Sequence, residues 1–174
     1  MFEKGEYIVY GHNGICKVED ITHLNLSGVD KGKLYYVLAP LGKKESRIYY
    51  PVDREKDGRA RRTITRAEAE QLLSEIPQIG LIEVVNDKMR EDIYKQALYS
   101  SDCRNWISMV KTLFLRRQDR LRHGKRIASV DERYMKMAEE ALYSELAFAL
   151  DKSKEEMADF IIDRIEHQQE LICS

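Results

Sequence analysis

The chain has little of several things that usually announce a function. It has three cysteines in 174 residues, at Cys16, Cys103 and Cys173, an odd number with no CxxC spacing. A disulfide framework and a zinc site are both disfavoured, and a reducing compartment is implied. Its four histidines, His12, His23, His123 and His167, are dispersed and fit neither metal-ligand nor catalytic spacing. Lys and Arg total 29 against 30 Asp and Glu, for a net charge of -1. Global basicity therefore does not signal nucleic acid, and any such signal must be local. No apolar run approaches the ~18 residues of a membrane span. The start, Met1-Phe2-Glu3-Lys4-Gly5, carries no charged-then-apolar leader, and a cytoplasmic protein without a membrane partner is expected. Internal repeats and low-complexity segments are lacking.

What is present falls into two kinds of pattern. Tyr7-Ile8-Val9-Tyr10 and Ile15-Cys16-Lys17-Val18 are short β-prone runs around Gly11-His12-Asn13-Gly14, whose glycines and asparagine suit a tight reversal. A polar stretch over 22–33 reads as an edge loop, and Leu34-Tyr35-Tyr36-Val37-Leu38 as a buried strand. Pro40 to Lys44 turns the chain into Ser46-Arg47-Ile48-Tyr49-Tyr50. Four or five strands at this spacing predict a small, strongly bent sheet or barrel. The charged segment from Asp53 to Arg62, with Gly58 inside it, reads as a mobile connection.

From Thr65 the period becomes helical. Thr65-x-x-Glu68 is a capping box for a helix with Leu72, Leu73 and Ile76 on its face and Pro77 as its stop. Asn86 or Asp87 can cap a second helix, with Met89, Ile93, Ala97 and Leu98 on one side. Asp102 can cap a long third helix carrying Trp106, Val110, Leu113, Phe114, Arg117 and Leu121 and ending at Gly124. Ser129-x-x-Glu132 and Ser153-x-x-Glu156 read as capping boxes of two more. The fourth helix has Tyr134, Ala138, Ala141, Leu142, Glu145, Leu146 and Ala149 along one side. The expected fold is α+β: a β-rich domain over 1–78 and a helical bundle over 84–174.

Lys111 to Arg126, KTLFLRRQDRLRHGKR, holds seven cations offset only by Asp119. Such a cluster can neutralise phosphates without reading sequence. It can equally be a solvated face with cations favourably placed at a helix C-terminus. Lys88, Arg90, Arg133 and Lys136 extend the patch if the helix starts converge. The lone Trp106 sits on an apolar helix face and is read as core. Paired glutamates at 139–140 and 155–156 point in different directions on a helix. Cys16 reads as a buried, inert thiol, and Gly11-x-x-Gly14 is too short for a phosphate loop. No catalytic constellation emerges, so neither enzyme activity nor a cofactor is expected.

Phe2-x-x-Gly5-Glu6-Tyr7-Ile8-Val9-Tyr10-Gly11-His12-Asn13-Gly14-Ile15 resembles the opening of the CarD/CdnL/TRCF family, F-x-x-G-D-x-V-V-Y-P-x-H-G-V. Ile48-Tyr49-Tyr50-Pro51-Val52 resembles a second family motif. Arg59-Ala60-Arg61 stands where the family usually has Gly-Leu-Arg. The resemblance implies a Tudor-like N-terminal domain that binds the β subunit of bacterial RNA polymerase, with His23, Arg47, Tyr49 and Arg61 as its facing residues. It further implies a helical domain touching promoter DNA near the melted bubble through Lys88, Arg90, Arg117, Lys125, Arg126 and Arg133, so modulating open-complex stability. Relatives suited to wedge a base step carry a tryptophan before the first helix of that domain. Here the region reads Val84-Val85-Asn86-Asp87-Lys88-Met89-Arg90, which leaves phosphate contact standing but not an aromatic wedge. Met89 is the candidate substitute, although its spacing favours core. A protein-interaction adaptor on the polymerase, without direct DNA binding, is the second reading. A helix-turn-helix repressor is a third, disfavoured by the length of the helices.

Overall fold

The structure is a computed structural model and describes residues 1–173. Its five antiparallel strands are β1 (Tyr7–Tyr10), β2 (Ile15–His23), β3 (Leu34–Pro40), β4 (Ile48–Pro51) and β5 (Ala60–Arg62). They lie in the order β4-β3-β2-β1-β5. The β1–β2 connection is a one-turn 3-10 helix, Gly11–Asn13, entered and left through Gly11 at φ 49° and Gly14 at φ 73°. Both are left-handed conformations that glycine adopts without a Cβ penalty.

A bulge bends the sheet. Val18 pairs with Leu38 and Asp20 with Val37, so Glu19 is the extra residue. The bulge flips the parity of β2. Cys16 and Val18 before it, and Ile21 after it, all pack with Ile8, Tyr36, Leu38 and Tyr50 in the small core of the sheet. The segment read as a mobile connection is instead ordered. Val52–Asp57 is a 3-10 turn, and the Tyr50 hydroxyl engages Asp57 Oδ1 at 2.8 Å and the Arg54 carbonyl. Gly58, at φ 81°, then returns the chain to pair β5 with β1. The charges there serve as hydrogen-bond partners of buried tyrosines, which composition alone could not reveal.

Five helices follow: α1 (Arg66–Ser74), α2 (Arg90–Tyr99), α3 (Cys103–Arg122), α4 (Ser129–Leu150) and α5 (Lys154–Cys173). The Thr65–Glu68 capping box forms in both directions, Asp102 caps α3, and Ser153 and Glu156 cap α5 reciprocally. The Ser129 box does not form. Ser129 is already helical, and Ala128 occupies the cap position without a side-chain bond. Asp131 and Glu132 in the first turn supply the negative charge that the helix start favours.

The apolar face of α1, Ala69, Leu72 and Leu73, joins the helical core rather than the sheet. Trp106 lies at the centre of that helical core, fully buried, with its indole N–H on the Leu98 carbonyl at 3.0 Å. The two cores share one wall. Ile8 and Cys16 face the sheet core, while their neighbours Val9 and Ile15 belong to the helical core. This follows from the period-2 alternation of a strand covered on both faces. The Tyr7 ring packs on Phe148 at 5.1 Å and His12 meets Tyr99 edge-on at 4.7 Å. Burial and the nearby Lys43 charge push the His12 pKa down.

Candidate functional site

Two surfaces and one internal joint carry the residues of interest. The first surface is the free edge of the sheet: β4 pairs with β3, and among the described residues no strand covers its other side. Tyr49 pairs across the strand with Val37, which in turn pairs with Asp20. The neighbours of Tyr49, Ile48 and Tyr50, turn into the sheet core. Tyr49 therefore presents an aromatic ring outward, 43% exposed. Arg47 precedes the strand and is held by the bulge residue, with its Nε 2.5 Å from Glu19. An edge with open backbone groups, an exposed aromatic ring and an adjacent charge is the arrangement that strand-adding partners use. His23 is exposed at the far end of β2 opposite Leu34, on the parity of Ile21, so it lies on the other sheet face from Tyr49.

Arg61 lies elsewhere, in the joint between sheet and helices. Its guanidinium binds both oxygens of Glu145 at 2.7 Å, donates to the Ser101 carbonyl and lies 5.6 Å from the Trp106 ring centroid. Glu145 is fully buried. It also accepts the Ile64 N–H at 3.0 Å and the Cys103 thiol at 3.1 Å. Burial works against the Arg61 charge, but the hydrogen bonds and charge of Glu145 outweigh it and the pKa rises. Burial and the Glu145 charge push the Cys103 thiol strongly up, which makes it inert. The burial that sequence predicts for Cys16 is likewise complete, and its thiol is raised to about 12.

The second surface is the basic end of the bundle, where the structure sorts the candidate cations. Arg117, Lys125 and Arg126 are exposed and form no ion pair among the described residues, and Lys88 projects from the 3-10 turn Asp87–Met89. The turn after α3 is closed by hydrogen bonds. Gly124 takes φ 66°, the Lys125 N–H meets the Arg120 carbonyl at 2.8 Å, and the Arg120 Nε meets the Arg126 carbonyl at 2.7 Å. Arg90 is withdrawn: its side chain is 13% exposed and lies between Asp87 and Asp131. Asp131 is itself buried and takes Arg116 Nε at 2.5 Å. Arg133 is paired with Glu91 and stacked over Tyr134. Lys111, counted in the sequence cluster, is buried and contributes no surface charge.

Val85 is 95% exposed and Met89 is 54% exposed, beside Lys88. Met89 escapes the core because α2 begins only at Arg90, so the methionine sits in the turn rather than on the helix face. Sequence reasoning missed Glu145 and Asp131 as partners, although a signal existed. Glu145 falls at apolar spacing between Leu142 and Leu146, where a carboxylate needs a buried cation.

Among the described residues no group of three His, Cys, Asp or Glu side chains could hold a metal ion, and no helix is long and apolar enough to cross a membrane. Fold and surfaces thus define a two-surface α+β protein, with a sheet edge at one place and a basic helix end at another. Residues 2–64 match the family model described as the CarD-like/TRCF RID domain, and the match ends one residue before the Thr65 cap. Over that stretch the chain is similar to the CarD-like/TRCF RID domain, and the match suggests an RNA polymerase-interacting, transcription-related protein. A search of curated proteins gives no match.

Proposed function

We propose that the β4 edge, with Tyr49 and Arg47, docks on the β subunit of bacterial RNA polymerase in the cytoplasm, while the basic end of the bundle lies on promoter DNA. Lys88, Arg117, Lys125 and Arg126 would meet phosphates. Val85 and Met89, an exposed apolar tip beside Lys88, would approach the minor groove where relatives place a tryptophan. An aliphatic tip unstacks a base step less than an indole does, so the effect on the open complex rests more on phosphate contact. The protein would shift melting only by its differential affinity for melted and closed complexes. The match over residues 2–64 carries the polymerase half of this reading, and the unpaired exposed cations carry the DNA half.

Open-complex lifetime on a linear promoter fragment, measured with the full chain, tests the whole. Wild type is expected to change the lifetime and Tyr49→Ala to abolish the effect. No change with wild type, despite demonstrated polymerase binding, would refute the proposal.

One observation favours the adaptor reading: Arg90 and Arg133 are already satisfied by carboxylates, which reduces the free positive charge. An adaptor predicts no salt-dependent DNA affinity at all.

A further inference from the structure

Helix α3 buries a cation that meets no anion among the described residues. Lys111 is 4% exposed, and its Nζ donates to the Ile76 and Ile79 carbonyls at 2.8 and 2.6 Å. An ammonium group has three donors, and the third meets no partner among the described residues. Elsewhere the protein balances its buried charges. Glu145 meets Arg61, and Asp131 meets Arg116. Lys111 has no such partner among the described residues, and burial pushes its pKa down.

The same residue lines a cleft of about 320 Å³ between the 76–81 segment, α3 and α5. Its other walls are largely apolar, with Ile79, Leu81, Leu115, Ile165 and Ile172. Leu81 and Ile172 are exposed. Gln168 spends its amide on the Pro77 carbonyl at 2.8 Å. A concave, apolar lining with a single fixed charge is the general form of a small-ligand site.

We propose that this cleft binds a monocarboxylate bearing an apolar tail, of the medium-chain fatty acid class. The carboxylate accepts the remaining Lys111 N–H and supplies the missing negative charge, while the tail covers Leu81 and Ile172. One cation in an apolar wall matches one negative charge, whereas a phosphate dianion would leave a charge buried without a partner. The cleft shares no residue with the sheet edge or the basic helix end, so the inference stands apart from the polymerase reading.

Calorimetric titration of the full chain with decanoate and with 1-decanol is the test. Decanoate should bind saturably, one per chain, about tenfold or more tighter than the alcohol, because only it carries the charge that Lys111 lacks. Lys111→Met should remove that preference. Should Lys111→Met fail to fold, Ile172→Asp decides, since an exposed position tolerates the change and the new carboxylate repels the ligand; it should weaken decanoate by about tenfold or more. Absence of saturable decanoate binding, equal binding of acid and alcohol, or insensitivity to Ile172→Asp would overturn the proposal.

Discussion

Arg61 of β5 and Glu145 of α4 are 84 positions apart in the chain, yet each guanidinium NH2 group of one lies 2.7 Å from a carboxylate oxygen of the other. The pair joins the sheet to the bundle, with the Glu145 carboxylate sealed from water and the Arg61 side chain 27% exposed. Paired charges of this kind add little net stability by existing, but losing one partner strands the other. Arg61→Met is therefore expected to destabilise the chain by about 3 to 5 kcal/mol, read from urea midpoints. A surface arginine devoted only to polymerase contact would leave the midpoint unmoved.

Charge reversal at Lys125 and Arg126 should weaken binding to a nonspecific duplex and flatten its salt dependence, by a slope of about 0.9 for each phosphate that is no longer neutralised. Reversal at Arg90 should unfold or loosen the α2–α4 packing instead, because its partner Asp131 is buried. Fluorescence anisotropy across a salt series, together with circular dichroism, separates these outcomes.

Thr65→Ala removes the side-chain oxygen that receives the Glu68 N–H and should cost about 1 kcal/mol. Because Leu72 and Leu73 of α1 lie in the helical core, the loss should appear in the global transition rather than as local fraying. A thermal melt followed by tryptophan fluorescence, reporting on Trp106, is the measurement.

The turn over 52–57 should be sensitive to acid. The amino-terminal ammonium, against some opposing burial and with help from Tyr36, holds the Glu55 pKa below 4.5. For Asp57 burial opposes ionisation, but the Arg59 N–H, the Tyr50 hydroxyl and the nearby arginines prevail, and the pKa falls below 3.8. Both folded values are depressed, so their stabilisation is present above the ordinary values and is lost as pH falls through the folded ones. Stability should decline across that window, and Asp57→Asn should flatten the decline in urea titrations at successive acid pH values.

Local patterns are legible wherever the chain decides alone. The glycine-bounded reversal, the Thr65 and Ser153 boxes, the burial of Cys16 and the core position of Trp106 each follow from spacing and side-chain chemistry within a few residues. The Ser129 box fails because a capping pattern does not say which residue is the cap, and Met89 has helical spacing although α2 starts one residue later. Pairing of charges is not legible. Arg61 and Glu145, or Arg116 and Asp131, meet only after the fold closes, so one-dimensional counting overstates the free cations of the basic segment. The bulge at Glu19 is hidden for the same reason, since it depends on the register of β3.

The shared wall formed by β1 and β2 has a consequence for any change in chain length there. Deleting or inserting one residue within Tyr7–Tyr10 would exchange the faces of Ile8 and Val9, so that each core would receive the side chain fitted to the other. Both halves would be repacked by one event, unless the extra residue were bulged out as Glu19 is in β2. Substitutions in this hairpin can be graded, whereas a length change must be bulged out or felt by both cores, and viable length variation should accumulate in the connection over 24–33 instead.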